Sequence, residues 1–126
     1  MLGERPIAAF VATTRPDIAQ AFYSDVLGLR LVERDTYALV YDAGGTMLRV
    51  VIVDTFDPQG FTVLGWGVPD IAAAVRQLGE RGVEFKRFEW MQQDDLGIWH
   101  TPEGPQVAWF SDPDGNILSL TQFQEP

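Results

Sequence analysis

At 126 residues and 14.1 kDa, with 46% hydrophobic and 21% charged residues, the chain can bury about two-thirds of its unfolded surface in one globular domain. Zero cysteines exclude disulfides, thiolate metal ligands and thiol nucleophiles. The net charge of −9 argues against nucleic acid and anionic membranes as partners; with no apolar run near the ~18 residues of a span and no charged-then-apolar leader, a soluble, cytoplasmic domain is expected.

In chain order, residues 7–13 form an extended apolar stretch. A helix follows, in which Ile18, Ala21, Phe22 and Val26 recur at helical spacing. It opens on Pro16-Asp17, where a fixed φ and a negative charge suit an N-terminus, and closes at Gly28. Three strands are expected next, at 30–35, 37–41 and 47–54, with Ala43-Gly44-Gly45 turning the last pair. Residues 56–60 read as a linker. The pattern then repeats: a stretch at 61–68, a helix with Ile71, Ala74, Val75 and Leu78 on one side, and a stop at Gly82. Strands are expected at 83–90, 106–111 and 117–123, the last two joined by the turn Asp112-Pro113-Asp114-Gly115-Asn116. Pro16-Asp17-Ile18-Ala19-Gln20-Ala21 recurs as Pro69-Asp70-Ile71-Ala72-Ala73-Ala74. One α+β domain over 1–126 is thus expected, built of two tandem βαβββ modules, 1–55 and 61–126.

Two motifs carry a resemblance over nearly the whole chain. Phe22-Tyr23-Ser24-Asp25-Val26-Leu27-Gly28-Leu29 and Asp112-Pro113-Asp114-Gly115-Asn116-Ile117-Leu118-Ser119-Leu120 resemble the first helix and last hairpin of the vicinal oxygen chelate superfamily, the glyoxalase, bleomycin-resistance and extradiol-dioxygenase group. The resemblance implies a curved mixed-sheet half-barrel cleft that holds a metal or a ligand, and pairing as a homodimer. Metal-dependent members place a histidine or glutamine on each module's first strand and a glutamate on each last strand. Those positions fall here near Ala8, Arg49, Val63 and Ser119, none of them a histidine or carboxylate, and the single histidine, His100, lies outside those strands. A divalent ion needs several converging oxygen or nitrogen donors, so no metal and no other cofactor is expected.

The residues themselves suggest a cleft for an organic molecule. Leu48, Val50 and Ile52 alternate with Met47, Arg49 and Val51, so Arg49 leaves the helix side and can pin a carboxylate, phosphate or phenolate. Otherwise it pairs with one of the acidic residues or lies at a dimer seam. Ser119 and Thr121 alternate with Leu118 and Leu120, and Gly65 and Gly67 leave room beside them. Trp90, Trp99, Trp109 and His100 concentrate rings in the second module, with Tyr37 and Tyr41 a smaller group in the first. Each ring is equally suited to core or interface, with Trp66 assigned to the core. Asp94-Asp95 reads as a solvated acidic turn. The leading expectation is a metal-independent protein that sequesters or carries a small organic ligand through Arg49, Ser119, Thr121, Trp90, Trp99, His100, Trp109 and Tyr37. The competing expectations are a lyase, isomerase or dioxygenase-like enzyme with an atypical site, using His100, Tyr37 or Glu89, and a dimeric interaction module without a ligand.

Overall fold

A computed structural model describes residues 1–123. The chain divides into two compact units, Met1–Pro58 and Gln59–Pro126, the division falling inside the 56–60 linker.

In unit 1 the elements are β1 (Ala8–Thr13), α1 (Pro16–Gln20), β2 (Arg30–Arg34), β3 (Ala38–Ala43) and β4 (Thr46–Ile52). After α1 the backbone widens into a π-helical turn, Ala21–Val26, so the helix read from the sequence is wound in two gauges. The sheet order is β1-β4-β3-β2, with β1 parallel to β4 and the other pairs antiparallel. Strand alternation sends Val11, Leu39, Tyr41, Leu48 and Val50 toward the helix, where all are buried. Tyr41 is therefore core, not a cleft residue. Its hydroxyl hydrogen-bonds Ser24 Oγ at 2.8 Å and its ring lies 6.0 Å from that of Tyr23. Burial pushes the Tyr41 phenol above its ordinary pKa, against the opposing pull of the Ser24 bond.

In unit 2 the elements are β5 (Thr62–Gly67), α2 (Ile71–Glu80), β6 (Trp99–His100), β7 (Gln106–Ser111) and β8 (Ile117–Gln122). The order β5-β8-β7-β6 repeats that of unit 1, again with one parallel pair. Asp70 caps α2, its Oδ1 accepting the Ala73 N–H at 3.1 Å. Gln122 Oε1 accepts the Ile71 N–H at 3.0 Å, which places the Leu118, Leu120, Gln122 alternation on the helix side. Trp66 is on that side too, stacked against buried Phe110 at 6.5 Å, but it is half-buried and borders the core rather than filling it.

One expected strand is not formed. Residues 83–90 form no ladder: the Lys86 N–H donates to Trp109 O of β7 at 2.8 Å, and the two-residue β6 pairs with β7 at Gln106 and Val107. The apolar spacing explains it: Val83 and Phe85 are two apart, but the next pair, Phe88 and Trp90, is out of phase with them. Phe85 packs on Phe110 at 5.4 Å on the helix side, while Phe88 packs on Trp109 at 5.6 Å on the opposite side. The segment therefore crosses from one side of the sheet to the other, and a strand cannot do that. The Gln93 amide takes up further backbone groups of the segment. Its Oε1 accepts from Phe88 N at 2.9 Å, and its Nε2 donates to Lys86 O at 3.0 Å and Gly97 O at 2.8 Å.

Candidate ligand-binding face

The distal face of unit 2, the side of its sheet turned away from α2, follows from register. Gly65, Ser119 and Trp109 form one row; Gly67, Thr121, Val107 and Trp99 form the next. The indoles of Trp99 and Trp109 stack at 6.1 Å with 25° between their planes. Phe88 meets Trp109 edge-on at 86°, and Trp90, 78% exposed, tilts onto Phe88 at 5.6 Å. These four rings make a continuous ladder. Trp109 Nε1 donates to Thr62 Oγ1 at 3.0 Å, which ties its indole to the first strand of the unit.

Beside the ladder, β5 presents glycine. A Cβ on Gly65 would stand 2.5 Å from Ser119 Oγ, and one on Gly67 would stand 3.3 Å from the Phe123 ring. Val63 lies where the β5–β8 register slips between Thr62 and Leu64, a bulge that removes it from simple alternation with the two glycines.

The candidate residues thus divide. Ser119, Thr121, Trp99 and Trp109 share one face, with Trp90 joined to it through Phe88. His100 pairs with Gln106 and alternates to the helix side, away from Trp99. Its Nε2 lies 2.9 Å from Asp94 Oδ2. Asp94 is not a solvated turn residue: its Oδ1 accepts from the N–H groups of Leu96 and Ile98, each at 2.9 Å. Partial burial pushes its carboxyl up, but the His100 bond and these two N–H groups outweigh burial and hold it below the usual carboxylate range. Arg87 adds two bonds of 2.6 Å to the carbonyls of Asp94 and Asp95. Phe88, Thr62 and Gln93 escaped the sequence reading, and the phase break between Phe85 and Phe88 was the signal for the first.

In unit 1, Arg49 lies on the distal face of its own sheet, in register between Phe10 and Val40. Tyr37 is 74% exposed, just before β3, with its N–H donated to Asp35 Oδ1 at 2.7 Å. The Tyr37 and Ala38 N–H groups, more than the Arg49 charge, hold the Asp35 carboxyl below its ordinary pKa.

The donor set does not fit a metal ion. Ala8, Val63 and Ser119 offer no strong ligand, Arg49 is a fixed cation, and among the described residues no three of His, Asp and Glu converge. Among the described residues, no helix is long and apolar enough to cross a membrane.

Comparison with known proteins agrees with this fold. Among solved structures, a bleomycin resistance determinant encoded on the transposon Tn5 superposes with a TM-score of 0.76 at 24% identity, over 96% of this chain and 99% of that one. A glyoxalase family protein from Bacillus anthracis gives 0.77 at 16% identity, covering 96% of each chain. Lactoylglutathione lyase from Agrobacterium tumefaciens gives 0.69 at 16%, over 94% of this chain and 93% of that one. At such identities the likeness establishes the fold and nothing finer. No curated protein matches the sequence. The family model of the Glyoxalase/Bleomycin resistance protein/Dioxygenase superfamily matches residues 7–120, and the chain belongs to that superfamily.

Proposed function

We propose that the distal face of unit 2 binds a flat, largely apolar organic molecule, and that the protein sequesters or carries it without a metal ion. The observation behind this reading is the ladder Trp99–Trp109–Phe88–Trp90 beside the side-chain-free positions Gly65 and Gly67. Stacked indoles offer a broad π surface, and the glycines make way beside it for Ser119 and for the Phe123 ring. Ser119 and Thr121 add hydroxyls that orient a polar edge. The donor chemistry described above supports metal independence. A general acid–base reading has less support, because His100 alternates away from the ladder.

Native mass spectrometry of protein from its own host is the test. We expect a retained organic mass and much less than one equivalent of Zn, Ni, Mn or Fe per chain. Trp99→Ala should weaken binding of that molecule about ten-fold or more, the loss expected of a buried aromatic anchor. Stoichiometric metal would overturn metal independence. Undiminished affinity in Trp99→Ala would overturn the ladder as the site.

A further inference from the structure

On the sheet of unit 1, Arg49 is half-buried. Arg49 makes no hydrogen bond and no ion pair among the described residues. Its setting is apolar. Along β4 its same-face neighbours are Met47 and Val51; across the sheet they are Phe10 on β1 and Val40 on β3. Phe10 is 59% exposed and Met47 46% exposed, so apolar surface borders the charge. Two carboxylates lie in the same region of the unit, and the hydrogen bonds of both go elsewhere. Asp42 bonds Arg30 Nη2 and the Gly45 N–H, each at 2.9 Å. Asp35 Oδ1 accepts from Tyr37 N at 2.7 Å and Ala38 N at 2.9 Å. The Arg49 charge acts on Asp35 as the weakest of the influences on that carboxyl, and among the described residues no carboxylate bonds the guanidinium. A cation partly removed from water gains by meeting an anion, and a guanidinium fork matches a planar or tetrahedral oxyanion in two parallel bonds.

We propose that Arg49 binds the acidic group of an amphiphilic organic anion, a carboxylate, sulfonate or phosphate monoester whose apolar body lies on Phe10 and Met47. The residues that carry this site all belong to unit 1, and none is in the ring ladder.

Calorimetric titration with 2-naphthoate and its neutral counterpart 2-naphthamide tests it. The native chain should bind the carboxylate about ten-fold or more tighter than the amide, the scale of a charged hydrogen bond. Arg49→Met should erase that preference, Arg49→Lys should keep part of it, and Trp99→Ala should leave it intact. Without ligand, Arg49→Met should melt close to or above the native temperature, because the charge it removes makes no hydrogen bond or ion pair among the described residues. No preference in the native chain, or a preference surviving Arg49→Met, overturns the proposal. So does a preference lost only in Trp99→Ala, or a marked fall in the melting temperature of Arg49→Met, which would make the arginine a structural residue. Equal failure of both probes to perturb tryptophan emission counts against the ladder and leaves the charge preference as a separate result.

Discussion

A Cβ added to Gly65 would meet Ser119 Oγ at 2.5 Å and the Ser119 carbonyl oxygen at 3.4 Å, so this glycine answers a shortage of space rather than a turn. Ser119 is 8% exposed and pairs with Gly65 in register, leaving its side chain little freedom to withdraw. We predict that Gly65→Ala destabilises unit 2 by about 1–3 kcal/mol, the cost of overpacking a fitted site. Adding Ser119→Ala removes the oxygen in conflict while keeping a Cβ that stands at 3.8 Å. The double variant should recover most of the loss. Urea unfolding of the four proteins in the cycle measures the coupling, and simple additivity would show that the strain lies elsewhere.

At the level of elements, most of the fold is legible in the sequence for identifiable reasons. Alternation in 46–52 and 117–122 separates Leu48 and Val50, or Leu118 and Leu120, from Arg49 and Ser119, and the structure keeps those parities. Capping and glycine stops bracket α2. The segment at 83–90 was not legible, because its hydrogen bonds are split between Leu78, Trp109 and the Gln93 amide, a set no local pattern announces. The ladder was half legible for the same reason: parity brings Trp109 and Ser119 together, but Phe88 reaches them only through the path of that irregular segment. The loop that follows has a pH dependence of definite sign. Asp94 is more acidic folded than unfolded, so the unfolded chain takes up the proton first. Its contribution to stability is whole above the ordinary carboxylate pKa of about 3.9 and is lost as pH falls through the lower, folded value. Asp94→Asn keeps an oxygen for the Leu96 and Ile98 N–H groups but removes the charge beside His100. We predict that it flattens the acid limb of unit 2 stability below about pH 4, followed by thermal unfolding across an acid series. An unchanged acid limb would assign that limb to other carboxylates.

For the whole molecule, Ile7, Phe61 and Trp90 are exposed at 77%, 62% and 78%, apolar surface of the kind that pairing covers. We predict a homodimer at micromolar concentration, measured by light scattering, with a two-fold axis making the contact isologous. A mass of one chain, 14.1 kDa, would refute it. The stacked pair on the distal face of unit 2 has an optical consequence. Two indoles 6.1 Å apart and rotated by 25° share their electronic transitions, so Trp99 and Trp109 should produce an exciton couplet in ultraviolet circular dichroism. All four tryptophans, at positions 66, 90, 99 and 109, belong to unit 2, so the couplet reports that unit alone. A guest that slides between the rings should collapse it, while one that lies on the outer indole should leave its shape and shift its centre. The pair is thus a chromophoric gauge of binding geometry already present in the native chain.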